Sequence, residues 1–202
     1  MSSTANPVVP TSEAAVDQRI LIERAQGGDH DAFATLAGES IARLDAAARL
    51  ILRDSELARD AVQEALVRCW RDLPTLRDVE RFDGWLHRLL VNACLDLIRR
   101  RRRRAVEVEL TSILSPAASD FSGGVVERDL LDRALRALEP DWRALVVLHY
   151  YLGMPLPEVA ASLGIPLGTA KSRLHRAIGL LRATVERGAA VDVVSVPEGR
   201  FA

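Results

Sequence analysis

Six consecutive arginines, Arg99 to Arg104, stand in a 202-residue chain whose formal net charge is only −1. Residues 81–104 together carry eight basic side chains (Arg81, Arg88 and the six-arginine run) against two acids, Asp83 and Asp96, a local balance of +6. Such a concentration suits a polyanion, because each neutralised phosphate releases counterions and gives affinity with little sequence preference. Arginines at a helix C-terminus also complement the helix dipole, but at about 0.3 to 1 kcal/mol per well-placed charge that role does not call for six. A second basic stretch, Ile165 to Arg187, holds Lys171, Arg173, Arg176, Arg182 and Arg187 against Glu186 alone. Lys171 is the chain's single lysine. The cationic work therefore falls to guanidinium groups, which match guanine edges and phosphates bidentately.

Other chemistries lack their residues. Cys69 and Cys94 have no CxxC spacing and sit in apolar helical contexts, as buried inert thiols do. His30, His87, His149 and His175 are scattered singly, without an HExxH or Cys/His cluster, so no metal site and no cofactor is expected. There is no GxGxxG, P-loop or GxSxG, and an enzyme reading has no motif behind it. No apolar run approaches the roughly 20 residues of a membrane span. The opening MSSTANPVVPTSEAA has neither the basic head nor the apolar block of a signal peptide. A cytoplasmic protein with a disordered lead over residues 1–16 is expected, making no membrane contact of its own.

The elements that must position these charges are helical. No segment sustains strand alternation, and several place apolar residues at helical spacing, so the expected fold class is all-α. Gly27-Gly28 breaks a first helix, and Asp29 or Asp31 can cap the next. Asp54 and Ser55 offer a further cap, after which Leu57, Ala61, Ala65, Cys69 and Leu73 recur every fourth residue as a buried stripe. Pro74 ends that helix, and TLRDVER forms a short charged loop. Another helix starts near Phe82, carries Trp85, Leu86, Leu89, Leu90, Ala93 and Leu97, and runs into the arginines. Phe82 and Trp85 can stack on bases, although their spacing with Leu86 and Leu89 favours core packing. Residues 105–125 contain three acids (Glu107, Glu109, Asp120), no basic residue, a proline and a Gly-Gly pair, the composition of a flexible linker. Two small helical domains result, 17–104 and 126–187, with 188–202 expected as a loose tail.

Within PLPEVAASLGIPLGTAKSRLHRAIGLLR, a short helix meets a turn at Gly164, and Pro166 opens a longer helix. Helix, glycine turn, helix is the helix-turn-helix pattern. Leu167, Ala170, Leu174, Ile178 and Leu181 are expected to pack inward, while Thr169, Ser172, Arg173 and Arg176 point outward with Lys171 and His175 flanking. Leu167 lies in the first turn, where contact with a thymine methyl is an alternative to packing. The outward residues of such a helix can reach base edges in the major groove.

With these residues in view, LGIPLGTAKSRLHRAIGLLR resembles the C-terminal domain of extracytoplasmic-function sigma factors of the sigma-70 family. DAVQEALVRCWR, Asp60 to Arg71, resembles the family's polymerase-binding helix, and RFDGWLHRLLVNACLDLIRRRRR resembles its promoter-melting and minus-ten segment. The resemblance covers roughly residues 17–186 in family order, although the first turn of the second domain's reading helix carries Leu167 where many relatives are polar or acidic. It implies a sigma factor, with Asp60, Gln63 and Glu64 docking on core RNA polymerase. It also implies that Leu76, Arg77, Arg88, Asn92, Arg99, Arg100 and Arg103 contact the minus-ten region, as duplex and as melted single strand. Thr169, Lys171, Ser172, Arg173 and Arg176 would read the minus-thirty-five element. The acidic linker would thread the polymerase's basic RNA-exit path, and an anti-sigma factor is an expected partner. A stand-alone helix-turn-helix regulator is the main alternative, and a module that only sequesters an antagonist is a third, opposed by the intact arginine run and Arg173.

Overall fold

Two aspartates punctuate the first half of the chain. The Asp29 carboxylate accepts hydrogen bonds from the amides of Asp31 and Ala32, each at 3.0 Å, and Asp54 accepts from those of Glu56 and Leu57 at 3.1 Å. Each satisfies amides that a helix start leaves without partners. In the computed structural model, which describes residues 12–109 and 126–194, these caps open α2 (His30–Leu52) and α3 (Ser55–Asp72), preceded by α1 (Ser12–Gln26). Between α2 and α3, Arg53 takes the left-handed conformation at φ 59°, a strained state for a side-chain-bearing residue.

Two short 3₁₀ turns, Leu73–Thr75 and Val79–Arg81, separate α3 from α4 (Phe82–Glu109), so the expected charged loop is partly helical. The helix carries the whole arginine run and continues through the first five residues of the expected linker. The rest of that linker lies outside the described residues, as do residues 1–11 of the lead expected over 1–16, whose residues from Ser12 onward belong to helix α1. Then α5 (Val126–Arg136) and α6 (Pro140–Val146) lead into a π-helical turn, Val147–Tyr151. The last two helices are α7 (Leu156–Leu163) and α8 (Leu167–Val194). The tail expected from residue 188 is helical as far as Val194: α8 runs through Gly188, while Ala189, Ala190, Val191, Val193 and Val194 are compatible with continued helix, and no proline follows Arg187 before Pro197.

Among the described residues there is no strand, and no helix is long and apolar enough to cross a membrane. Helices α1 to α4 form one group and α5 to α8 another, yet one buried core runs through both. Leu44, Ala47, Ala61, Ala65, Leu86 and Leu90 of the first group share it with Leu145, Leu148, Met154 and Val159 of the second. A smaller cluster of Leu135, Leu138, Val146 and Ala177 lies beside Leu50. The periodic stripe of α3 is where its spacing puts it: Ala61, Ala65, Cys69 and Leu73 are buried and Leu57 half-buried. Burial pushes the Cys69 and Cys94 thiols up to about 12, which removes them from nucleophilic chemistry at neutral pH.

Candidate nucleic-acid interface

Alternation of buried and exposed positions on α3 leaves Asp60, Gln63 and Glu64 in solvent on the face opposite the core. Glu64 also accepts from Arg68 at 2.7 Å, and Arg68 reaches Asp96 of α4 at 3.4 Å, which ties the polar stripe of α3 to the arginine-bearing helix. The six arginines are all exposed. Arg99 pairs with Asp96 at 3.3 Å and Arg101 with the Asp54 cap at 3.2 Å. These exposed pairs hold side chains in place at little energetic gain.

The loop before α4 holds Leu76, half-buried against the core, and Arg77, exposed. Asn92 is half-buried on α4. Phe82 is 2% exposed and Trp85 packs against the core, their rings 6.2 Å apart, so both serve packing rather than an open stacking surface. Arg88 projects toward the second helical group, where its Nε donates to the Ser162 hydroxyl of α7 at 3.4 Å, while that hydroxyl donates to Glu158 O at 2.8 Å. On the same side of α4, the Glu158 carboxylate stands 3.3 Å from where a side chain on Gly84 would begin.

In the second group, Gly164 at φ 65° makes the turn between α7 and α8, a conformation glycine adopts without steric cost. Ala170 and Ala177 are buried, and Leu174, Ile178 and Leu181 half-buried. Leu167 departs from the expected inward set: it is 39% exposed. It stands at the first residue of α8, before the turn whose Ala170 and Leu174 meet the core. Lys171, Ser172 and Arg176 are exposed and Thr169 and Arg173 half-buried, all along one stretch of α8. Ser172 donates to Thr169 O at 3.0 Å. The fold therefore presents two basic surfaces, one at the end of α4 and one on α8, with the α3 stripe beside the first.

Comparison with known proteins fits this arrangement. The pattern described as "Sigma-70 region 2" matches residues 39–104, and "Sigma-70, region 4" matches 128–181. The ECF RNA polymerase sigma factor SigM of Mycobacterium tuberculosis is 37% identical over 150 residues, 74% of this chain and 75% of that protein. The chain belongs to the extracytoplasmic-function group of the sigma-70 family. A further ECF sigma factor, SigE of Mycolicibacterium smegmatis, is 36% identical over 130 residues, where the match spans 62% of this chain and half of that longer protein. The solved structure of the Bartonella quintana sigma factor RpoE in complex with the anti-sigma factor NepR superposes with a TM-score of 0.61 at 25% identity, covering 75% of this chain and 97% of that one.

In this sigma factor every arginine of the run lies within the region 2 match, and Thr169 to Arg176 within the region 4 match. Helix α1 precedes both. Sequence reasoning missed the side chains that join the two groups. Arg43 donates to Leu152 O at 3.1 Å, and Arg53 pairs with Asp132. Arg143, 8% exposed, donates to Ile51 O at 3.0 Å and to Leu138 O at 2.9 Å. Burial holds the Arg143 guanidinium down to about 10, with Arg53 and Arg136 adding repulsion, and it stays charged at neutral pH. These partners lie far apart in sequence, and the local pattern around each arginine reads only as a charged helix face.

Proposed function

We propose that the chain directs core RNA polymerase to promoters through three separate surfaces: Asp60, Gln63 and Glu64 on α3 bind the polymerase; Leu76, Arg77, Arg88, Asn92, Arg99, Arg100 and Arg103 act at the minus-ten region; and Thr169, Lys171, Ser172, Arg173 and Arg176 read the minus-thirty-five element. Residues 17–104 and 126–187 act as its two working domains, and 105–125 as an acidic connection between them. The single observation that supports this best is the placement of two basic faces in one chain, on α4 and on α8, with a polar stripe of opposite character on α3. One face alone would suit a simple DNA-binding protein. Two, with an acidic face on the same half, suit a subunit that holds polymerase and touches a promoter at two places.

The sigma factor has no catalytic role of its own and works in the cytoplasm, where it lends promoter choice to the polymerase. An anti-sigma factor is its expected antagonist, as the NepR complex of a related fold illustrates for that protein. The test is run-off transcription from a pooled promoter library by bacterial core polymerase, with and without the chain. Transcripts that require it and share an upstream and a downstream motif are the expected result. Duplex binding without any transcription dependence would return the reading to a stand-alone regulator.

A further inference from the structure

The loop that carries Leu76 and Arg77 is held by a residue outside both family matches. Gln26, the last residue of α1, is half-buried, and its side-chain amide nitrogen donates to Leu73 O at 3.1 Å and to Leu76 O at 2.7 Å. Both acceptors are carbonyl oxygens, so only the NH₂ end of the amide can face them, and each of its two hydrogens has a partner. Leu73 O also receives the Leu76 amide at 3.0 Å, so it serves both the 3₁₀ turn and the clamp. Pro74, inside that turn, has no amide hydrogen to help close it. Leu76 itself is extended, at φ −71° and ψ 108°, and is followed directly by the exposed Arg77.

Two more side chains of α1 reach the same stretch. Gln18 donates to the Asp83 carboxylate at 3.0 Å, and Arg19 lies 3.8 Å from Glu80. Between them and Gln26, Ile22 is 1% exposed in the core that also holds Phe82. Helix α1 thus braces the loop at both ends, with Gln26 fixing the end that bears the DNA-contact candidates.

We propose that Gln26 is a positioning residue for minus-ten recognition: its two hydrogen bonds hold the backbone of Leu73 to Leu76 in the one conformation that presents Leu76 and Arg77 to an unpaired base. This rests on the minus-ten assignment made above. A loop ordered before binding does not have to be ordered by it, and the affinity of the bound state rises accordingly.

The experiment uses holoenzyme assembled from the full chain and core polymerase. It measures binding of a single-stranded oligonucleotide carrying the downstream motif enriched by the library, against a scrambled strand and a duplex carrying the upstream motif. Gln26→Met keeps the length and removes the donors; Gln26→Glu turns an acceptor toward two carbonyls. Both variants should bind the motif strand about tenfold more weakly, Gln26→Glu more so, with duplex binding and polymerase association unchanged. Motif-strand affinity equal to that of the unsubstituted chain would overturn the role. So would a parallel loss on both probes with a lowered melting temperature, since that is what a purely structural contact produces. If the unsubstituted holoenzyme itself fails to prefer the motif strand over the scrambled one, the minus-ten assignment falls, and the Gln26 role with it. Should Gln26→Glu not fold, Gln26→Met decides alone.

Discussion

The two helices proposed to face DNA are not equally available in this chain. On α8, Lys171, Ser172 and Arg176 stand in solvent and none is bonded to the first helical group. On α4 the arginine run is open, but the front half of the same helix lies against α7: Arg88 bonds to Ser162, and Glu158 sits over Gly84. Closure of the two groups therefore engages one reader at Arg88, which stays exposed, and leaves the other without a contact to the first group. Ser162 and Thr169 are seven residues apart, so at most about 25 Å of chain separates the Arg88 contact from the start of the α8 reading face. The minus-ten and minus-thirty-five elements are about 25 base pairs apart by name, roughly 85 Å of duplex at about 3.4 Å per pair. One closed chain cannot touch both, so use of the two surfaces on one promoter requires the contacts between the groups to part.

The largest change expected from breaking that closure is at Arg143. Its guanidinium joins Ile51 O of the first group to Leu138 O of the second from a buried position. Arg143→Ala removes both donors, strands two carbonyls and opens a cavity, for an expected loss of about 3 to 5 kcal/mol in urea unfolding. A loss below about 1 kcal/mol would mean that the bridge does not hold the groups together. Next in size is the open reader. Arg173 and Arg176 replaced by Ala should weaken upstream duplex binding by about 1 to 3 kcal/mol for each base edge no longer read, with polymerase association intact. If polymerase association fails instead, the separation of roles between α3 and α8 is wrong.

The closed half of α4 also carries a pH dependence. His87, next to Arg88, is the one buried histidine among the described residues. Burial, with help from Arg43 and opposed by Asp83, holds its imidazole down to about 4, against an ordinary 6.5. Between those values the unfolded chain takes up a proton that the folded chain refuses, so stability falls as pH drops from 6.5 toward 4, by up to roughly 3 kcal/mol. Arg43 is also the side chain that holds Leu152 O, which places this acid sensitivity beside the join between the groups. Denaturant titrations from pH 7 to 4 should show the slope, and His87→Gln should flatten it. An unchanged slope in the variant would assign the effect to other groups.

How much of this was legible in the sequence depends on the reach of each interaction. The buried stripe of α3, the Asp29 and Asp54 caps and the Gly164 turn rest on residues within a few positions of one another, and local spacing reveals them. Leu167 misled because periodicity alone does not say at which residue a helix begins to meet its neighbour. The ends of α4 and α8 ran past the expected borders because composition marks where charge or polarity changes, whereas backbone hydrogen bonding is indifferent to that change and carries α4 through Ala105 to Glu109 and α8 through Gly188. The contacts of Gln26 with Leu73 and Leu76, and of Arg143 with Ile51, span 47, 50 and 92 residues. A glutamine at a helix end and an arginine in an amphipathic helix look ordinary until the chain is folded.

The smallest expected effect tests the hold on Arg88 itself. The Arg88 to Ser162 bond is long at 3.4 Å, and the hydroxyl directs its own hydrogen to Glu158 O. Ser162→Ala removes the acceptor while leaving α7 a residue of higher helix propensity, so folding stability should move by less than about 0.5 kcal/mol. The freed guanidinium should raise the affinity of the free chain for the single-stranded downstream motif by about twofold, read by fluorescence anisotropy, with upstream duplex binding as the internal control. No change would show that packing of α7 on α4, rather than this hydrogen bond, keeps the front of the helix covered. A rise of tenfold or more would show the reverse, that one weak polar contact holds Arg88 back from the strand.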